Sequence, residues 1–166
     1  APKNSRPQFF WAGRLDLQKR LDVVYEVARQ MPHVDFRMWG QSVSNGPNPE
    51  KDRPDNAILE GSYASFDELP LSEADGWSIL LEVAMTGLPL VGSLVGGTGE
   101  VLHDDLTWPI APCDDVAAYV AAIEEVMADP AAARKKARAL RDRLAEKRTE
   151  AHYQAQVRAI MEGATS

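Results

Sequence analysis

Cysteine and histidine are scarce in this 166-residue chain, which has one Cys and three His. A single thiol, Cys113, cannot close an internal disulfide, so the fold is not a disulfide scaffold, and such usage suits the cytosol. His33, His103 and His152 are scattered with no ligand spacing, and no metal site is read from them. No apolar run approaches the roughly 18–20 residues that span a bilayer. Ala1 to Gln8 lacks the apolar core of a signal peptide. It also lacks a starting Met, so the chain is expected to be a piece of a longer protein. Positive charge is not in excess either. The formal net charge is -7, the wrong sign for a surface that tracks phosphates along a nucleic acid, and no nucleic-acid partner is expected.

What is present fits one globular domain over residues 1–166. Hydrophobic residues make up 45%, and the length suffices for a core. Phe9-Phe10-Trp11-Ala12 reads as a buried strand ending at Gly13. Leu21, Val24, Tyr25, Ala28 and Met31 then follow at helical spacing. Val34 to Trp39 alternates as a second strand and stops at Gly40. Residues 41–56, rich in Ser, Asn, Gly and Pro, read as a loop. Ala57-Ile58-Leu59 is a third strand. Ser78 to Thr86 reads as a helix ended by Gly87, Leu88 to Ser93 as a strand, and Thr107 to Ile110 as the last strand. Asp114 or Asp115 caps a helix with the stripe Val116, Val120, Ile123 and Met127. Pro130 opens a long Ala- and Arg-rich helix, and Tyr153, Val157, Ile160 and Met161 mark a final one. Apolar strands alternating with helices predict an α/β fold: a Rossmann-like parallel sheet with helices on both faces. Ligands of such sheets sit at the carboxyl ends of the strands, so chemistry is sought in the loops after Ala12, Trp39, Leu59 and Ser93.

The first of these loops is Gly13-Arg14-Leu15-Asp16-Leu17-Gln18-Lys19. Gly13 permits a sharp exit from the strand. Arg14 sits at the strand's end, and Lys19 is expected to open the next helix, whose N-terminus adds unpaired N–H groups and partial positive charge. Arg grips two phosphate oxygens at once and Lys acts as a point charge, so the loop can hold a diphosphate. Two solvated basic residues are the plain alternative. Only Gly13 of a G-x-G-x-x-G fingerprint is present, which argues against a nicotinamide dehydrogenase. Further on, Glu82 is a carboxylate in an otherwise apolar helix. A buried charge is costly unless it is bonded, so Glu82 either accepts from ligand hydroxyls, such as those of a ribose, or from nearby backbone N–H groups. Glu100 stands where a helix N-terminus favours a carboxylate anyway.

Gly13-Arg14-Leu15 with Lys19, then Leu80-Leu81-Glu82-Val83-Ala84-Met85-Thr86-Gly87-Leu88-Pro89, then Gly96-Gly97-Thr98-Gly99-Glu100 together resemble the family 4 (group 1) retaining glycosyltransferases. Order and spacing match from about Phe9 to Tyr153. The resemblance implies the C-terminal, donor-binding half of a two-domain GT-B enzyme that transfers a hexosyl or other glycosyl group from a nucleotide-diphosphate sugar to a saccharide or lipid-linked acceptor, with retention and without a required metal or other cofactor. By resemblance, Arg14 and Lys19 take the diphosphate and act in catalysis, Glu82 holds the nucleotide ribose, and Gly13, Gly40, Gly97 and Thr98 complete the donor-binding positions. Base contacts are expected near Gly40 and Gly61. The resemblance also implies an N-terminal acceptor-binding partner domain, without which the chain is expected to bind donor and not turn over. A role in polysaccharide biosynthesis follows from the family alone.

The pattern is broken in one place. The first acidic residue of the family's paired-glutamate motif is expected eight positions before Glu82, where this chain has Ala74. Asp75-Gly76-Trp77-Ser78 can be read as a shortened version; the preferred reading is that Ser72 to Trp77 resembles the start of the family's longer fourth strand, with Trp77 and Ser78 joined across about ten absent residues. This favours an alternative: a non-catalytic nucleotide-sugar-binding module that has lost its sugar-site loop. Ala131 to Arg148 carries eight basic residues against Asp142 and Glu146, a charge of +6 that leaves -13 for the rest. A solvated helix face and a weak peripheral contact with the inner, anionic face of a membrane are both compatible with it. The expected location is cytoplasmic.

Overall fold

The computed structural model describes residues 6–16, 19–65, 68–78, 84–95, 98, 101–102 and 105–147. Its centre is a six-stranded parallel sheet in the order β3-β2-β1-β4-β5-β6. The strands are β1 (Gln8–Ala12), β2 (Asp35–Trp39), β3 (Ala57–Gly61), β4 (Gly76–Ser78), β5 (Leu90–Ser93) and β6 (Trp108–Ile110). Helix α1 (Leu21–Gln30) joins β1 to β2, and α2 (Val116–Ala128) and α3 (Pro130–Lys147) follow β6. This is an α/β Rossmann-like fold, with the strand order that reverses direction between β1 and β4.

The uniform apolarity of β1 is explained by burial on both faces. Successive side chains of a strand point to opposite sides. Phe9 and Trp11 enter one core with α1 and α2, while Phe10 and Ala12 enter a second with Leu69, Leu88, Leu90 and the far end of α3. Helix α3 serves both, contributing Ala133 to the first and Leu140 and Leu144 to the second. Its buried positions Ala133, Ala137, Leu140 and Leu144 recur at helical spacing.

The ends of the helices follow local chemistry. Asp115, rather than Asp114, caps α2 by accepting from the Ala118 N–H at 2.9 Å. Asp129 accepts from the Ala132 N–H at 2.9 Å, just ahead of Pro130. Asn56, buried in the loop before β3, donates its amide to the carbonyls of Ala28 (2.8 Å), Met31 (3.0 Å) and Val34 (2.8 Å). One side chain thereby satisfies the carbonyl end of α1 and ties it to the start of β2.

Two expectations are corrected. Lys19 does not open α1. It lies in a short turn, and the helix starts at Leu21 after Arg20, whose backbone is left-handed (φ 52°). Ser78 is not helical but the last residue of β4, paired with Trp11 and Val91. Trp77 and Ser78 are consecutive residues of that one strand, with Trp77 beside Phe10 and Leu90. Strand β4 has three residues. Gly87 does take the positive φ (73°) expected of a helix-ending glycine. The helix expected at 153–161 lies outside the described residues.

Four of the seven basic residues of α3 have partners among the described residues. Lys136 pairs with Glu125 (3.6 Å), Arg141 with Asp142 (3.0 Å) and Arg143 with Asp105 (3.3 Å), and Arg134 donates to the Ala74 carbonyl (3.3 Å). Among the described residues no helix is long and apolar enough to cross a membrane.

Candidate functional site

Strand order places the crevice. From β1 the chain turns toward β2 on one side, and from β4 it turns toward β5 on the other, so their carboxyl ends flank a gap. Gly13 and Arg14 leave β1 at that gap, beside Ser78 at the end of β4.

The loop after β1 is held by its backbone. The β1–β2 ladder continues past both strands, with the Gly13 N–H donating to Trp39 O and the Leu15 N–H to Gln41 O, both at 3.0 Å. Leu15 and Ser42 form an isolated parallel bridge. The Asp16 N–H returns to the Arg14 carbonyl (2.9 Å), a three-residue turn about Leu15. Leu15 is buried, so it anchors the loop while Arg14 beside it faces out, its side chain 62% exposed.

Asp16 is the charged member of this loop that is buried. One oxygen accepts from the Lys19 N–H at 2.9 Å, and the other pairs with Arg14 Nε at 3.3 Å. Lys19 itself is half-buried. The N-terminus of α1 follows directly; its N-cap residue, Arg20, makes no side-chain cap, and the Asp22 carboxylate of its first turn accepts from the Val23 N–H. Arg20 and Asp22 form a two-pronged pair there (3.0 and 2.9 Å). The hydrogen bond from Arg20 holds the Asp22 carboxyl below the usual carboxylate range, and the same bond pushes the Arg20 guanidinium up.

The neighbouring loops close in at the same end of the sheet. The Gly40 N–H donates to Gly61 O (2.8 Å), so the exits of β2 and β3 are joined. Gly61 has φ 94°. Beyond β5, the Thr98 hydroxyl lies 2.8 Å from Ser93 O and 2.7 Å from Val95 O, donating toward these carbonyls, and accepts from the Val95 N–H at 2.9 Å. Leu94 and Val95 on this rim are exposed. Behind it Tyr119, on α2, shares a side-chain bond with Ser93, and burial pushes its phenol above the ordinary value.

Of the residues picked out by sequence, Gly13, Arg14, Lys19 and Gly40 therefore cluster at the adjoining ends of β1 and β2. Thr98 stands at the same end of the sheet but beyond β5, two strands from β1, about 10 Å at the usual strand spacing. Its hydroxyl is engaged by the backbone of its own loop. Glu82 and Gly97 lie outside the described residues. Asp16 was missed as a site residue. The signal was available, because a carboxylate three residues before a helical turn is the spacing of a side-chain cap.

Comparison with known proteins agrees with this architecture. No family model matches the chain. Over 92 residues, 55% of the chain, it is 39% identical to glycogen synthase of Mycobacterium tuberculosis (strain H37Rv), and that stretch is 20% of the relative's length. Among solved structures, sucrose-phosphate synthase from Thermosynechococcus elongatus superposes with a TM-score of 0.74 at 20% identity, covering 100% of this chain and 47% of that one. HepE of Anabaena in complex with UDP and glucose superposes with a TM-score of 0.79 at 14% identity, covering 93% and 48%. The chain thus spans about half the length of these structures, and a fifth of the curated relative is matched.

Proposed function

We propose that this chain is the donor-binding half of a retaining GT-B glycosyltransferase of the family 4 type. The observation that carries the reading is the loop at the β1–β4 gap, where one buried carboxylate, Asp16, pairs with the Arg14 side chain and accepts from the Lys19 backbone N–H just ahead of the N-terminus of α1. Positive charge of this kind suits a diphosphate. The 39% identity to a glycogen synthase and the shared fold with HepE, solved with UDP and glucose, support it.

In sugar transfer the bond between the anomeric carbon and the diphosphate breaks, and negative charge builds on the leaving phosphate. Arg14 and Lys19 meet that charge in place, which is electrostatic preorganisation. Glu82 holds the ribose and orients the donor. The two cations and the helix end supply the positive charge, so the reading asks for no metal. A partner domain of similar size brings the acceptor and closes the cleft, and the chain alone binds donor without turnover. Residence in the cytoplasm, with at most a weak contact to an anionic membrane, completes the proposal.

Titration of the chain with UDP, GDP and ADP sugars by saturation-transfer NMR tests it: one nucleotide series gives saturation transfer to its ribose and base, and Arg14→Ala shifts that titration to higher donor concentration. No transfer with any donor overturns the reading. A second reading, a binding module without catalysis, draws on the three-residue β4 that ends at Ser78. Binding without turnover by the chain joined to its acceptor domain selects that reading.

A further inference from the structure

We infer that Asp16 is a positioning residue for the diphosphate site, aligning Arg14 and Lys19 before ligand arrives. The inference rests on the donor-site reading above. A carboxylate beside an anion site is at first sight unfavourable, since it repels the ligand and is itself costly to bury. Asp16 is nevertheless only 8% exposed, so its retention there calls for a compensating role. Its two oxygens go to two different targets, Arg14 Nε at 3.3 Å and the Lys19 N–H at 2.9 Å, and its own N–H returns to Arg14 O at 2.9 Å. One ion pair and two hydrogen bonds from this residue thus reach the Arg14 guanidinium, the Arg14 backbone and the Lys19 backbone.

The consequences for Arg14 are specific. Its side chain is 62% exposed, and a long exposed side chain loses rotamer freedom when it grips a ligand. A hold on Nε removes part of that freedom in advance. For Lys19 the bond is to its backbone, so Asp16 sets where the lysine leaves the turn and how it approaches α1. Asp16 acts through these two residues and touches no ligand.

A double-mutant cycle on the 166-residue chain separates this role from general structural support. Wild type, Asp16→Asn, Arg14→Ala and the double variant are titrated calorimetrically with UDP, ADP and inorganic pyrophosphate, with uridine and adenosine as phosphate-free controls. Asp16→Asn is expected to weaken the diphosphate ligands about five- to tenfold, the scale of ordering one long side chain. In the Arg14→Ala background the same change is expected to cost less than about twofold. Nucleoside affinity should not move. Should Asp16→Asn fail to fold, Asp16→Ser keeps an oxygen for the Lys19 N–H while removing the charge, and the same cycle is run with it. Equal or tighter diphosphate binding by the Asp16 variant, or an equal loss with and without Arg14, overturns the positioning role while leaving the donor site standing. A wild-type chain that binds none of the three diphosphate ligands removes both.

Discussion

Gly40 packs against the carbonyl of Gly13 with no room for a side chain between them. A Cβ at position 40 would overlap the Gly13 carbonyl oxygen and stand 3.0 Å from its carbonyl carbon. The obstacle is backbone, which cannot rotate away, so the exits of β1 and β2 touch only because residue 40 is glycine.

Gly40→Ala is therefore expected to push the two loops apart. Overpacking of this kind costs about 1–3 kcal/mol, and urea denaturation should show a lower midpoint with an unchanged slope. Nucleotide binding should weaken in the same variant. An alanine variant as stable as wild type would mean the loops part freely.

Asn56 offers a test away from the site. Its amide serves the carbonyls of Ala28, Met31 and Val34. Asn56→Ala leaves buried carbonyls without that donor, at about 1–3 kcal/mol. Asn56→Asp replaces the donor by an acceptor facing three carbonyls and should be worse than alanine. Thermal melts of the two variants check the order.

Arg14→Ala should separate binding from stability. The side chain is 62% exposed, so little packing is lost and the melting temperature should barely change. Diphosphate affinity should fall by about 1.5–3 kcal/mol, the range for bonds to a charged group. In the chain joined to its acceptor domain, turnover should drop about 10²–10³-fold, as for a lost oxyanion donor. Calorimetry and a rate assay on the same variant give both numbers.

Tyr119 predicts an alkaline dependence. Burial raises its pKa above the ordinary value of 10.0, so the neutral phenol favours the folded state. Its contribution is fully present below the unfolded pKa and is lost as pH rises through the higher folded pKa. Tyr119→Phe should flatten the loss of stability above about pH 10, where the free phenol titrates. Denaturant midpoints for wild type and variant between neutral and alkaline pH measure it.

Much of this was readable from residue order. The β1 run Phe9 to Ala12 is apolar at every position, and both cores confirm why: each side of the sheet is covered. The α2 cap and the Pro130 start followed from short-range rules, because a cap is decided within one turn. Ser78 was misread because Ile79 and Leu80 after it extend a helical apolar pattern. Its pairing with Trp11 and Val91, far along the chain, made it strand instead.

The pattern of this chain alone determined an α/β sheet with Arg14 and Lys19 at the end of its first strand, since periodicity and glycine placement act over a few residues. Tertiary structure decided that Asp16 is buried against the Arg14 guanidinium and the Lys19 backbone and that Gly40 meets Gly13. It also set the gap between β1 and β4. Those relations depend on which strands become neighbours, and neighbours are chosen by packing across the whole sheet rather than by any local signal.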